Sequence, residues 1–175
     1  MREPKTHRHI VRNRKKNAVP LSKLRTSDAV KTVVDHPRRL QELVRMLEDK
    51  DRGVRGRAAA TLARLSESHP SRLLRLITRL KEMAGDDSAY VRWNLTYALG
   101  RLGSEFPTRS NGFLNELLGR LEDENRVVRV LACKALAQVA ARNPSMVKEL
   151  FESLKKEIPP PVWRILRAAK IKSDS

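Results

Sequence analysis

Aromatic side chains are scarce in this sequence of 175 residues, with Phe, Trp and Tyr together at 4%. That scarcity argues against a β-sandwich built from aromatic and β-branched strands, and the abundance of Leu, Ala, Val and Arg points to packed helices. The single cysteine, Cys133, excludes an internal disulfide framework, offers no cysteine cluster for zinc and reads as core filler in a reducing compartment. Long apolar runs are missing as well. Nothing approaches the roughly 18 consecutive apolar residues of a membrane span, and the N-terminus lacks the apolar stretch of a secretory signal. A soluble intracellular protein is expected, cytoplasmic or associated with nucleic acid, and nuclear in a eukaryote.

Catalytic motifs are equally absent. The sequence has no P-loop, dinucleotide fingerprint, H-E-x-x-H or nucleophile elbow. His7 and His9 have no cysteine or carboxylate set beside them, so neither a metal site nor a cofactor is expected.

Acidic residues are the last shortage: 20 Asp and Glu stand against 37 Lys and Arg, a formal net charge of +17. A chain so charged repels itself and attracts polyanions. DNA or RNA is the first partner to consider, and an acidic protein the competitor.

What the sequence does have is a repeat. Val54, Val91 and Val128 recur every 37 residues and each is followed by an arginine, Arg55, Arg92 or Arg129. The same shift superposes Leu62, Leu99 and Leu136, then Leu65, Leu102 and Val139, then Pro70, Pro107 and Pro144. On a second helix of each unit it aligns Leu43, Leu80, Leu117 and Leu154, and it sets Asp49, Asp86 and Asp123 six residues before the three arginines. Val91, Leu95, Leu99 and Leu102 form the stripe of a helix packed on one side. One such hairpin cannot bury its faces alone, so neighbouring units must stack.

The segment Asp86-Asp87-Ser88-Ala89-Tyr90-Val91-Arg92 through Ala98-Leu99-Gly100 resembles the HEAT-repeat signature, D-x-x-V-R-x-x-A-x-x-A-L-G, and Asp49 to Leu65 and Asp123 to Val139 repeat it. The resemblance to the HEAT-repeat, armadillo-like family runs from about residue 36 to the C-terminus. It implies an all-α, right-handed α-solenoid, with Asp49, Asp86 and Asp123 and Arg55, Arg92 and Arg129 forming ladders between adjacent repeats. Four helix pairs are expected near 38–66, 70–103, 110–142 and 145–171, preceded by a capping helix over 27–35 with Ser27 or Asp28 as its N-cap. Residues 27–175 then form the solenoid. The last pair is irregular: Val162 follows Val128 by 34 residues, and Pro159 to Pro161 interrupt the connection.

Residues 1–26 read as a basic flexible arm with almost no apolar periodicity. Arg8, Arg12, Arg14, Lys15, Lys16, Lys23 and Arg25 are its candidate phosphate contacts. In HEAT pairs the second helices line the concave side, and the resemblance therefore directs attention to Trp93, Asn94, Tyr97 and Arg101 of the second repeat. Arg57 and Arg64 of the first repeat, Lys134 of the third and Arg164, Arg167 and Lys170 of the fourth fall nearby. Guanidinium groups pair phosphates while aromatic faces pack against bases, sugars or arginine. The bland alternative packs Trp93 and Tyr97 between repeats; Trp163, beside the prolines, reads as a terminal plug. A second basic set on the first helices, including Arg72, Arg75 and Arg79, reads as solvated convex surface.

These residues predict a non-catalytic binding scaffold that engages nucleic acid or a ribonucleoprotein, or else an adaptor for an acidic protein. Short HEAT-like chains also resemble bilin-lyase-type proteins and HEAT-like DNA glycosylases. The concave positions named here contain no acid for base excision.

Overall fold

The computed structural model describes residues 19–107, 111–153 and 156–173. Among these every regular element is helical. A 3₁₀ turn, Leu21–Lys23, precedes α1 (Thr26–Asp35). The pairs follow: α2 (Leu40–Leu47) with α3 (Arg52–Ser68), α4 (Ile77–Met83) with α5 (Ala89–Glu105), α6 (Asn111–Gly119) with α7 (Arg126–Arg142), and α8 (Pro144–Ser153) with α9 (Pro160–Ser173). The result is an all-α solenoid.

In the first three pairs 3₁₀ segments take up part of the span of the first helix. Pro37–Arg39 and Pro70–Leu76 open on prolines, which fit a first turn but donate no amide, and Arg120–Glu122 closes the end of α6. The second helices are long and sharply started. Asp51 accepts the amide of Gly53 at the head of α3, and Asn125 accepts those of Val127 and Val128 at the head of α7. Helix α1 differs from expectation: it begins at Thr26, and Arg25 fills the N-cap position with no side-chain bond.

Second helices carry the stack, with α3 against α5, α5 against α7 and α7 against α9. Val91, Leu95, Leu99 and Leu102 are fully buried, as the periodicity requires, and so are Leu62, Leu65, Leu136 and Val139. At the closest crossing a Cβ on Gly100 would stand 2.4 Å from Ala135 Cβ, so the glycine of the signature lets α5 and α7 approach.

One boundary moves. Residues 19–25, read from sequence as part of the arm, belong to the packed body. Leu21 is buried in the core and its amide donates to Glu42 Oε1 at 2.7 Å. Arg39 holds the same Glu42 carboxylate and reaches the carbonyl of Val19 at 2.8 Å. Residues 1–18, and with them Arg8, Arg12, Arg14, Lys15 and Lys16, lie outside the described residues.

Candidate nucleic-acid interface

Two rungs of the ladder close. Arg55 Nε meets Asp86 Oδ2 at 2.7 Å and its Nη2 meets Oδ1 at 3.2 Å, and Nη2 also holds Asp87. Arg92 grips Asp123 at 2.8 and 2.9 Å and reaches Glu124 at 2.9 Å. Each aspartate also accepts the amide two residues on, Ser88 or Asn125, so one carboxylate shapes its loop and docks the preceding repeat. Hydrogen bonds donated to Asp86 and Asp123 hold the Arg55 and Arg92 guanidinium groups above their ordinary pKa, against the opposing effect of burial.

The ends of the ladder differ from the predicted pattern. The Asp49 carboxylate caps its own loop through the amide of Asp51 and pairs with no arginine among the described residues. Arg129 holds carbonyls, and no acid among the described residues pairs with it.

Helices α1, α3 and α5, with Leu131 of α7, line a groove of about 630 Å³, with Thr26, Ser27, Arg64, Glu67, Tyr90 and Trp93 among its lining residues. Tyr90 and Trp93 contact each other with ring centroids 5.0 Å apart and planes tilted by 54°. Gly56 makes room for this pair, since a Cβ there would stand 3.0 Å from the Tyr90 ring. Tyr90 is 46% exposed, and Val130, in the position of Trp93 one repeat on, is 44% exposed.

Of the four predicted residues on α5, Trp93, Asn94 and Tyr97 line the groove and Arg101 does not. Trp93 and Tyr97 line it half-buried, and Arg101 is half-exposed beside Tyr97. Asn94 reaches the groove wall, but it is buried and its amide donates to the Tyr90 carbonyl at 2.7 Å, a bond back along its own helix. It stiffens the aromatic platform and does not project from it. Tyr97 donates its hydroxyl to Glu67 Oε1 at 2.7 Å. Burial first, and then the bond to Glu67, hold that hydroxyl above the usual tyrosine pKa, while Arg101 acts the other way. Tyr97 therefore stays a donor at neutral pH.

Arg57, Arg64 and Lys134 are exposed, as are Lys23, Arg25, Arg164 and Arg167. The side chain of Lys170 lies outside the described residues. Trp163 corrects its prediction: it is 44% exposed, with the Arg167 guanidinium 5.9 Å from its ring centroid, while Val162 and Leu166 fill the terminal core. Arg72 is likewise more than solvated surface, because it donates to the carbonyls of Val33 and Val34 at the end of α1. Arg79 pairs with Glu48 and Glu82. Cys133 is half-buried against the core, and burial pushes its thiol pKa up.

Sequence reasoning missed Tyr90 and Glu67. Tyr90 stands three residues before Trp93 and seven before Tyr97, one helical face, which is the signal that would have found it. Glu67 is the acid that the inner-face positions lacked. Among the described residues no group of His, Cys, Asp and Glu could hold a metal ion, and no helix is long and apolar enough to cross a membrane.

Stacked helix pairs joined by Arg-to-Asp rungs, with a groove along the second helices, define a HEAT/armadillo-type repeat scaffold. The family model for Cnd1, described as non-SMC mitotic condensation complex subunit 1, matches residues 72–159, half of the chain. The chain belongs to that family. No curated protein matches it.

Solved structures agree on the fold. A computationally designed armadillo repeat protein for modular peptide recognition superposes with a TM-score of 0.64 at 22% identity, over 85% of this chain and 71% of the other. A designed armadillo repeat protein in complex with the peptide (KR)4 gives 0.60 at 20% identity, over 83% of this chain and 67% of its own. An engineered protein gives 0.61 at 23% identity, with 84% and 69% covered.

Proposed function

We propose that this protein is a non-catalytic scaffold that binds nucleic acid along its inner face, with the basic N-terminal residues adding phosphate contacts. One observation carries the reading: Arg57, Arg64, Arg101 and Lys134 of the second helices have no acid partner among the described residues, and Arg64 lines the same groove as the half-exposed Tyr90–Trp93 pair. Cations left without internal partners are free to pair phosphates, and exposed aromatic faces accept bases or sugars. On the first helices Arg39, Arg79 and Arg120 are each held by a glutamate, while Arg45 and Arg75 have no acid partner among the described residues.

The net charge of +17 repels a basic peptide such as the (KR)4 held by the designed protein and favours a polyanion. A family named for the mitotic condensation complex fits a partner of that kind.

The test is a salt series of fluorescence anisotropy with nuclease-treated protein and labelled DNA and RNA. Affinity should fall steeply and log-linearly with salt as counterions are released. Trp93→Ala and Arg101→Ala should each weaken binding several-fold. No binding to either polymer at low salt sinks the reading. Stronger binding to poly-glutamate than to an oligonucleotide of equal charge replaces it with an acidic protein partner.

A further inference from the structure

The three ladder arginines are held in the same way on one side and differently on the other. Nη1 of Arg55 donates to the carbonyls of Asp49 and Lys50 at 3.0 and 3.2 Å. Nη1 of Arg92 donates to those of Asp86 and Asp87 at 3.0 and 3.2 Å, and Nη1 of Arg129 to those of Asp123 and Glu124 at 2.7 and 2.9 Å. Each guanidinium is thus clamped by the loop six and five residues before it, which leaves Nε and Nη2 as a fork directed away from that loop.

In Arg55 and Arg92 the fork is filled by the aspartate of the next repeat. In Arg129 it is not, because the 37-residue register puts Pro160 where that aspartate would stand. The shorter, 34-residue spacing of the last pair puts Glu157 there, but Glu157 is exposed and makes no ion pair among the described residues. The nearest acids in sequence are already used: Asp123 holds Arg92 and Arg120, and Glu124 holds Arg92. Arg126, one helical turn before Arg129, is exposed and has no acid partner among the described residues.

The fork of Arg129 is therefore set up for an oxyanion that no acid of the described chain supplies. Its rotamer is fixed in advance by two carbonyls, so little side-chain freedom remains to be given up when an anion arrives. A phosphate presents the same pair of oxygens to a guanidinium as the carboxylates of Asp86 and Asp123 do. We propose that Arg129, a structural rung by its position in the repeat, is a binding residue whose Nε and Nη2 take a phosphate of the bound nucleic acid. The choice of occupant rests on the function proposed above; the open fork does not.

Two measurements on the full chain separate these claims. In the first, the Nε–Hε signals of Arg55, Arg92 and Arg129 are followed by NMR during titration with inorganic phosphate. The Arg129 signal should shift and saturate, while the two closed rungs stay still. In the second, Arg129→Gln and Arg129→Lys are compared with Arg92→Gln for melting temperature and for the salt dependence of oligonucleotide binding. Arg129→Gln should lower the melting temperature by clearly less than Arg92→Gln, because it loses the two bonds to its own loop but no rung between repeats. It should also lower the slope of log affinity against log salt by about one. Arg129→Lys should keep the slope and lose affinity, because the charge stays and the fork goes.

If Arg129→Gln lowers the melting temperature as far as Arg92→Gln and leaves the slope unchanged, Arg129 is structural and the proposal fails. If Glu157→Gln alone shifts the Arg129 signal and lowers the melting temperature, Glu157 is the resident partner and the proposal fails. A larger Arg129 shift with poly-glutamate than with an oligonucleotide of equal charge overturns phosphate as the occupant. Absence of all nucleic-acid binding, with Arg129 still responding to phosphate, sinks the proposed function and leaves the oxyanion fork standing. Nucleic-acid binding with a silent Arg129 and an unchanged slope does the reverse.

Discussion

Arg92 and Asp123 form a buried two-point ion pair, Nε to Oδ2 at 2.8 Å and Nη2 to Oδ1 at 2.9 Å, across the boundary between the second and third repeats. Removing one partner strands the other charge out of water, and breaking a buried pair in this way costs about 3–5 kcal/mol. Arg92→Ala and Asp123→Ala should each lower the urea midpoint strongly. The double variant should fall well short of the sum, since the second removal takes away a charge already stranded. Additive losses would show that the pair is not coupled.

The same carboxylate sets a pH dependence. Burial acts to raise the pKa of Asp123, but hydrogen bonds from Arg92 and the Asn125 amide, with the charges of Arg92 and Arg120, lower it overall. A carboxyl lowered in the folded state contributes stability that is complete above its unfolded pKa of about 3.9 and is lost as pH falls through the folded value. Stability should decline below about pH 4, and Asp123→Asn should flatten that decline while lowering stability at neutral pH. Urea titrations between pH 6 and 3 check both. Asp87 and Glu122 are lowered too, but they sit in solvent, where salt screens their pairs. Their share should vanish at high salt and that of Asp123 should persist.

The stack was legible in the sequence because each of its requirements recurs. Val91, Leu99 and the Arg92-to-Asp123 rung solve the same packing problem every 37 residues, and repetition separates them from chance. What escaped has no second copy. The bond from Asn94 to the Tyr90 carbonyl depends on the rotamer of one side chain. Trp163 stays exposed because Val162 and Leu166, which follow Val128 and Ala132 by 34 residues, take the inward positions of the last helix. Leu21 stands in a basic segment without periodicity, and its burial depends on α2 and α3 closing over it. The chemistry of the groove comes from contacts between helices, such as Tyr97 with Glu67, that no single-helix pattern encodes.

Gly100 tests how closely that stack is fitted. An added methyl would meet Ala135 Cβ at 2.4 Å and its Cα at 3.0 Å, so helix backbone has to move. Gly100→Ala should destabilise by about 1–3 kcal/mol through overpacking, even though alanine is the better helix former by about 1 kcal/mol. Gly119 supplies the control. It ends α6 in helical conformation, and a Cβ there meets nothing within 4 Å. Gly119→Ala should be neutral or stabilise by about 0.4–1 kcal/mol. Thermal melts of the two variants should move in opposite directions or differ by several degrees.

The corrected boundary changes how the basic arm has to be tested. Deleting residues 1–26 would remove Leu21 from the core, free Glu42 from its amide and break the bond from Arg39 to Val19. A drop in affinity would then report unfolding as much as missing charge. Leu21→Ala by itself should cost about 2–5 kcal/mol, a fall of roughly 4–20 °C in Tm for a domain of this size. A chain starting at residue 19 keeps all of these interactions while giving up Arg8, Arg12, Arg14, Lys15 and Lys16. It should melt close to the full chain, bind nucleic acid more weakly at every sequence tested and show a shallower salt slope, because each phosphate that the arm no longer neutralises keeps its condensed counterion. An unchanged slope after that deletion would confine binding to the solenoid. A large fall in Tm would show that residues 1–18 also support the fold.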